Sequence, residues 1–221
     1  MEDSISQLRR DYTLSGLDVD EVAADPVRQF QAWFDQAQQP IAAGQVPDWM
    51  EANAMTLSTC DADGMPTSRI VLLKGVDEGR FLFYTNYDST KAAAMAANPR
   101  VSLCFYWPHL QRQVRIEGTV SQTDRETSRR YYHTRPRGSQ LGAHVSPQSR
   151  VVDSRAFLEK RMESLEAEYP EGTLVPLPDN WGGYAVTPTA FEFWQGRSNR
   201  LHDRISYTLA EGAWKVERLA P

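Results

Sequence analysis

The sequence contains little cysteine and histidine, the residues on which disulfides and many metal sites depend. Its 221 residues include two cysteines, Cys60 and Cys104, and four histidines. The cysteines form no CxxC motif and the histidines form no HxH or HxxxH pair, so the ligand spacing of a zinc site is absent. We therefore expect two reduced cysteines in the core and no metal site, with His202 and Asp203 binding no metal.

Long apolar runs and glycine-rich nucleotide motifs are also missing. No run approaches the ~20 apolar residues of a membrane-spanning helix, and the amino-terminal MEDSISQLRR is charged where a signal peptide is apolar. We therefore expect a cytoplasmic protein with no membrane partner. The absence of GxGxxG and GxxxxGK[ST] excludes a Rossmann nucleotide site and a P-loop.

Lysine is scarce, because only four of the 24 basic residues are lysine and the rest are arginine. The 29 acidic residues give a net charge of −5, which favours neither nucleic acid nor an anionic membrane as a partner. Ten arginines lie between Arg112 and Arg161, a stretch with five acidic residues. Genomic base composition can explain the ratio of arginine to lysine but not this clustering. Since arginine binds phosphate and carboxylate in a bidentate manner, the cluster predicts a small anionic ligand.

The chain shows no internal repeat or low-complexity segment, and 41% of its residues are hydrophobic. This composition predicts a single domain over residues 25–221, preceded by a mobile arm over residues 1–24. Asp25 and Pro26 are an N-cap and a first-turn proline. Apolar residues at helical spacing follow them, so a helix is predicted to begin here.

Alternating and β-branched patterns predict most of the remaining structure. Strands are expected at 54–60, 66–74, 80–85, 100–107 and 111–122, with helices at 88–98, 124–134 and 153–168. The tail predicts two strands, WGGYAVTP and TAFEFWQG, and a closing hairpin that turns at Glu211-Gly212. In this interpretation Gly182-Gly183 precedes a strand. Seven or eight strands with short connections favour an antiparallel barrel or Greek-key sheet.

Arg69 and Lys74 are cations near the two ends of one apolar segment, RIVLLK. Alternation along a strand places them on opposite faces. They hold an anionic ligand, or both extend from the strand ends into water, and the segment by itself favours the second interpretation.

Thr85 leads through Ser89 to Lys91 at a predicted strand-to-helix turn. The N–H groups of a helix amino terminus, with hydroxyls and an ammonium group nearby, can bind phosphate. Ordinary capping by Asp88 or Ser89 explains the same residues and is the simpler interpretation at this point.

Tyr131, Arg135 and Ser139 are spaced four residues apart in the basic stretch. Pro136 argues against one continuous helix, yet the three side chains can still converge on one anion. A solvated basic helix is the alternative.

Farther along, residues 194–204 combine three arginines, a histidine and a tryptophan in a connection after a strand, a composition that indicates function more than folding.

Together these segments resemble the pyridoxine (pyridoxamine) 5′-phosphate oxidase family. The resemblance rests on RIVLLK, YTN with Ser89 and Lys91, RQV at 112–114, YYHTRPR with Ser139, SPQSR at 146–150, EFWQG and RLHDR, and it extends from residue 8 to residue 221. It implies a mainly β fold with flanking helices, an antiparallel split β-barrel of Greek-key type that forms a homodimer with FMN at the subunit interface. The implied reaction oxidises pyridoxine 5′-phosphate or pyridoxamine 5′-phosphate to pyridoxal 5′-phosphate, while O2 becomes hydrogen peroxide and the amine releases ammonia.

The resemblance also implies roles for individual residues. The FMN phosphate would contact Arg69 and Lys91, and the rest of the FMN site would comprise Ile70, Val71, Leu72, Tyr84, Thr85, Thr90, Gln113, Gln148, Ser149, Trp194 and Arg204. The substrate phosphate would be bound by Lys74, Tyr131, Arg135 and Ser139, with Arg200 and His202 facing the pyridine ring as catalytic residues and Arg9 and Tyr12 covering it. The family often has arginine where this chain has Thr90, so one charge is missing and FMN affinity is expected to be lower unless another cation substitutes.

Two other functions would use many of the same residues. A split-barrel flavin or deazaflavin reductase would keep the FMN-binding residues without the substrate-binding set. A non-catalytic carrier or sensor of pyridoxal phosphate or flavin would keep both sets, since binding and turnover use the same side chains.

Overall fold

A computed structural model of the protein describes residues 11–47 and 49–221. Arg9 and the rest of residues 1–10, part of the predicted arm, lie outside the described residues. The prediction of a mobile arm followed by a single domain stays a prediction.

The described residues form five α-helices, nine β-strands and three short 3-10 turns. The helices are α1 (Pro26–Ala42), α2 (Thr90–Ala97), α3 (Arg125–Thr134), α4 (Arg137–Val145) and α5 (Arg155–Glu168). The strands are β1 (Ala54–Cys60), β2 (Pro66–Leu72), β3 (Gly75–Asp77), β4 (Arg80–Asn86), β5 (Arg100–Trp107), β6 (Arg112–Gln122), β7 (Trp181–Gln195), β8 (Asp203–Ala210) and β9 (Ala213–Leu219). The 3-10 turns are Val19–Glu21, Pro108–Leu110 and Ser198–Arg200.

The strands pair in the order β2-β1-β5-β6-β7-β4-β3, and β8 joins β7 and β9. The pairs β3–β4, β4–β7, β7–β8 and β8–β9 are antiparallel, with Thr85 opposite Gly182 and Trp194 opposite Arg204. The predicted fold class, a mainly antiparallel β-sheet with flanking helices, is confirmed.

Local sequence explains several of these boundaries. The side chain of Asp25 accepts a hydrogen bond of 2.9 Å from the N–H of Val27, so α1 begins where the N-cap and first-turn proline predict. The hairpin between β8 and β9 turns at Glu211 and Gly212, whose φ angles of 53° and 82° are both left-handed. This conformation matches the type of turn that joins twisted antiparallel strands through two residues.

The described chain divides into two compact units. The first comprises the described residues up to Leu57, Ser102–Gly118 and Pro188–Pro221; the second comprises Ser58–Val101 and Thr119–Thr187. In the first unit, aromatic side chains form much of the core, and Trp33 of α1 packs edge-on against Phe193 with ring centroids 5.3 Å apart. In the second unit, Tyr132, Leu141, Val175 and Trp181 form a buried cluster.

Several local predictions are wrong. The two strands predicted in the tail are one strand, β7, which includes Gly182, Gly183 and Pro188. A proline is tolerated there because it falls between the stretch 181–186, which pairs with β4, and the stretch 190–195, which pairs with β8. Both glycines lie inside this strand. Glycine is needed at position 182 because a Cβ there would meet the side chains of Tyr87 and Ser128.

The second error is the missed helix α4, which starts at Arg137 directly after Pro136. Pro136 ends α3 because proline has no N–H to donate to the preceding helical turn. The same lack is harmless at the start of a helix, so α4 can begin directly after it. The third is the end of β2, which stops at Leu72, so Lys74 lies beyond the strand and the alternation argument for it does not apply.

The cysteines are free thiols, as expected, but Cys60 and Cys104 are partly exposed and do not belong to the buried core. No helix among the described residues is long and apolar enough to cross a membrane.

Candidate active site

A cavity of about 440 Å³ in the second unit brings together most of the predicted ligand-binding residues. Eleven of them line it: Ile70, Val71, Leu72, Lys74, Tyr84, Thr85, Lys91, Tyr131, Arg135, Ser139 and Gln148. Pro136 and Trp181 complete the lining. Residues predicted to bind two different phosphates therefore surround one space.

Lys91 lies at one side of this cavity, in the first turn of α2. Its Nζ donates to the Oγ1 of Thr85 (3.0 Å), the Oγ of Ser89 (3.2 Å) and the Oε1 of Gln148 (2.8 Å). The Oγ1 of Thr85 also donates to the Oε1 of Gln148 at 2.9 Å. These contacts fix the ammonium group among neutral oxygens, an arrangement that leaves its charge available to an anion.

The electrostatics around Lys91 also favour an anionic ligand. Burial, and then the positive charge of Arg69, lower the pKa of Lys91 from its ordinary 10.5 to about 8. Arg69 is itself held by hydroxyls, donating to the Oγ1 of Thr59 (2.8 Å) and of Thr67 (2.6 Å), and burial lowers its pKa. Two cations that raise each other's energy favour an anion placed between or beside them.

Ser89, the N-cap of α2, accepts a hydrogen bond from the N–H of Ala92 at 3.4 Å. The capping interpretation is therefore correct for Ser89, and the same hydroxyl also contacts Lys91. Thr90, the first residue of α2, is exposed, and Ser149 adopts a left-handed φ of 69° next to Gln148.

Arg135, Tyr131 and Ser139 converge on the cavity although no continuous helix joins them. Arg135 is the C-cap of α3, and Ser139 lies in the first turn of α4, where its N–H donates to the carbonyl of Pro136 at 2.8 Å. The Nη1 of Arg135 is buried and has no hydrogen-bond partner among the described residues. A buried guanidinium nitrogen without a partner is costly, so this atom indicates a position for an anionic ligand.

Aromatic rings form one wall of the cavity. The rings of Tyr84 and Tyr131 are stacked with centroids 3.9 Å apart and an interplanar angle of 19°. Trp181 lies nearly parallel to Tyr84 at 5.5 Å, and the guanidinium carbon of Arg135 lies 4.6 Å from the Trp181 ring centroid. Sequence reasoning missed Trp181, although an indole directly before two glycines that admit close packing was an available signal.

Other predicted residues lie in the first unit. His202 contacts Trp194 (centroids 4.6 Å apart) and Tyr12 (5.8 Å), and its Nδ1 accepts a hydrogen bond of 3.1 Å from the N–H of Arg197. Burial, and then the charge of Arg200, hold the pKa of His202 below its ordinary 6.5. At neutral pH the ring is therefore uncharged, with its proton on Nε2.

Arg200 is exposed and has a left-handed φ of 62°, directly after Asn199 at 56°. Two successive non-glycine residues in the left-handed region strain the backbone. Such strain is common at sites where a functional side chain is held in one orientation.

Arg204 forms a bidentate ion pair with Glu192 at 2.9 and 3.0 Å and also donates to the carbonyl of Ala220 at 2.7 Å. Gln113 lies partly buried in β6.

Comparison with known proteins agrees with the residue patterns. The family model described as "Pyridoxamine 5'-phosphate oxidase" matches residues 44–169, and the "Pyridoxine 5'-phosphate oxidase C-terminal dimerisation region" matches residues 181–221. The chain belongs to the pyridoxamine 5′-phosphate oxidase family. Among its relatives, the pyridoxine/pyridoxamine 5′-phosphate oxidase of Rhodopirellula baltica is 58% identical over 99% of this chain and 97% of the relative. That of Salinibacter ruber is 51% identical over 98% and 99%, respectively.

Solved structures confirm the split-barrel fold of this pyridoxamine 5′-phosphate oxidase family member. PhzG from Burkholderia lata 383 is 24% identical, covers 94% of this chain and 100% of its own, and has a TM-score of 0.82. A pyridoxamine 5′-phosphate oxidase-related, FMN-binding protein from Nostoc punctiforme is 17% identical, covers 90% and 100%, respectively, and has a TM-score of 0.70. At these identities the likeness extends to the fold alone.

Proposed function

We propose that this chain is an FMN-dependent oxidase that converts pyridoxine 5′-phosphate and pyridoxamine 5′-phosphate to pyridoxal 5′-phosphate. Pyridoxine 5′-phosphate and O2 give the aldehyde and hydrogen peroxide. Pyridoxamine 5′-phosphate, O2 and water give the aldehyde, ammonia and hydrogen peroxide. The cavity of the second unit carries the proposal, because it is lined by two sets of side chains suited to bind a phosphate, and the full-length relatives of the chain bear this activity's name.

The donors around Lys91 fit the phosphate of FMN. An ammonium group, two hydroxyls and a nearby guanidinium match the charge and acceptor number of a phosphate dianion. FMN when bound would supply the two-electron acceptor that amino-acid side chains lack. Ile70, Val71 and Leu72 would offer apolar contact along the same cavity, and Gln148 would exchange its contact with Lys91 for one with the ligand.

The second set fits the substrate phosphate. Arg135 would donate from its unpartnered Nη1, while Tyr131 and Ser139 offer hydroxyls and Lys74 offers a further cation. These groups hold the substrate by its phosphate, so that binding energy distant from the reacting carbon orients the pyridine ring.

Arg200 and His202 are assigned to the substrate ring. A neutral His202 with its proton on Nε2 can donate a hydrogen bond, and Arg200 provides a fixed positive charge. Tyr12, packed against His202, would cover the ring together with Arg9. We further propose a homodimer with FMN at the subunit interface, and the match of residues 181–221 to a dimerisation region supports it.

The decisive experiment is to purify the protein, record flavin absorbance, and follow aldehyde and peroxide under air with each substrate. We expect a yellow protein that turns over both. A protein that cannot be reconstituted with FMN and has no turnover would contradict the proposal, flavin binding without turnover would indicate a carrier, and turnover of other substrates alone would indicate a reductase.

Arg200→Ala tests the assignment of the ring-facing residues. We expect kcat to fall at least about tenfold with unchanged flavin content, since the lost charge acts on the substrate. Arg155→Ala is the matched control, because Arg155 is exposed on α5 and pairs with Glu159. Equal rates for the two variants would refute the role of Arg200.

A further inference from the structure

Trp181, the first residue of β7, has no role in the function proposed above. Hydrogen bonds nevertheless fix both its backbone N–H and its backbone carbonyl. Its N–H donates to the carbonyl of Pro178 at 3.3 Å, and its carbonyl accepts from the Nη1 of Arg125 at 2.9 Å. The residue is 6% exposed. The position of its indole is therefore determined by the fold and does not require a ligand.

The ring of Trp181 is also fixed by aromatic neighbours. It lies nearly parallel to the rings of Tyr84 (12°) and Tyr131 (7°), and the ring of Tyr132 meets it at 66° with centroids 5.4 Å apart. Packing on several sides leaves the indole little freedom to tilt.

The guanidinium of Arg135 lies over the ring of Trp181. Its guanidinium carbon lies 4.6 Å from the Trp181 ring centroid, a distance at which a cation is attracted by the ring. Within residues 11–47 and 49–221, the buried Nη1 of Arg135 has no hydrogen-bond partner, and no carboxylate is among the groups that shift the pKa of Arg135. The ring of Tyr132 lies farther from the guanidinium carbon, at 5.8 Å, so the face of Trp181 is the nearest group that orients this guanidinium.

We propose that Trp181 is a positioning residue that holds the guanidinium of Arg135 by a cation–π contact, so that Nη1 faces the phosphate of the substrate. The inference rests on the proposed function. It adds a residue that acts through Arg135 and not by contact with the substrate. Pre-orientation of the guanidinium matters because a bidentate contact to phosphate depends on the plane of the group.

A double-mutant cycle on the full-length, FMN-loaded protein tests the proposal. We expect Trp181→Leu to raise the KM for pyridoxine 5′-phosphate about five- to tenfold with little change in kcat, and Trp181→Phe, which keeps a ring, to raise it about two- to threefold. In an Arg135→Ala background the same two substitutions should change KM by less than about twofold, since the residue through which they act is gone.

Trp107→Phe is the matched control, because Trp107 is also buried (2% exposed) and packs among aromatic rings. It should lower the melting temperature without changing KM. A KM effect of the Trp181 substitutions that persists in full in the Arg135→Ala background, or an unchanged KM in the folded Trp181→Phe variant, would overturn the proposal.

Failure of the proposed function can be distinguished from failure of the proposed role of Trp181. If the wild type turns over neither substrate, the same cycle is measured on the affinity for inorganic phosphate by calorimetry. Loss of phosphate affinity that depends on Arg135 would then still support the role of Trp181, and an additive loss would contradict it.

Discussion

At the scale of single residues, Lys91 connects electrostatics to ligand binding. Its pKa is lowered to about 8, so the ligand-free protein loses this charge as the pH rises through 8. We expect FMN affinity to fall above pH 8, by up to about tenfold per pH unit, because an anion binds only the protonated lysine. Titrations of FMN into the ligand-free protein between pH 6.5 and 9.5 measure this.

The stability of the ligand-free protein is expected to change with pH in the opposite direction. An unfolded lysine keeps its proton up to a pKa of about 10.5, so between pH 8 and 10.5 the unfolded state binds more protons than the folded state. Stability from this group therefore rises with pH across that window. Lys91→Arg is the control, since arginine stays charged, and an identical pH step in that variant would contradict the assignment to Lys91.

Thr90 lies where the resemblance to the family implies an arginine. We expect Thr90→Arg to tighten FMN binding about tenfold, because it adds a charged donor next to Lys91. The same cation at the first position of α2 opposes the helix dipole, so the ligand-free variant should melt slightly lower. Thr90→Gln supplies length without charge, and equal FMN affinity of the two variants would refute the electrostatic explanation.

At the scale of elements, β7 depends on the absence of a side chain at Gly182. A Cβ there would lie 2.8 Å from the Oγ of Ser128 and closer still to the ring of Tyr87. We expect Gly182→Ala to destabilise the protein by about 1–3 kcal/mol, or roughly 2–12 °C in melting temperature, because the packed neighbours must move.

Gly138→Ala is the matched substitution with the opposite expected sign. Gly138 lies in α4, and no described atom outside its chain neighbours and its own helix backbone lies within 4 Å of an added Cβ, so alanine should stabilise the helix by up to about 1 kcal/mol. Thermal denaturation followed by circular dichroism compares the two variants. A Gly182→Ala protein as stable as the wild type would show that these neighbours yield without cost.

Elements with strong local signals were predictable, and those that depend on partners in space were not. β5 has its predicted bounds because RVSLCFYW is continuously β-forming, and α1 begins at its predicted cap. The sequence predicts two strands in place of β7 because proline disfavours a strand, whereas Pro188 falls between the stretch that pairs with β4 and the stretch that pairs with β8. The sequence predicts no helix at α4 because Pro136 ends α3, yet a new helix begins directly after it.

At the scale of the molecule, the resemblance supplied most of the candidate site because short motifs distant in sequence have fixed positions in a shared fold. It brought together Lys91 and Arg135, which are 44 residues apart in the chain. It gave no position for Trp181, since an orienting residue has no contact with the ligand that a motif would record. It also did not indicate that Arg204 pairs with Glu192, which depends on the register of β7 and β8.

Binding of FMN should raise the stability of the whole molecule. A ligand that binds only the folded state adds about 2.7 kcal/mol at a free concentration 100 times its Kd, which corresponds to roughly 5–11 °C in melting temperature for a chain of this size. Riboflavin should give a much smaller rise at equal concentration, because it offers no phosphate to the charges of Lys91 and Arg69. In Arg69→Ala the difference between FMN and riboflavin should shrink. Equal shifts for the two flavins in the wild type would place the phosphate elsewhere than at these two cations.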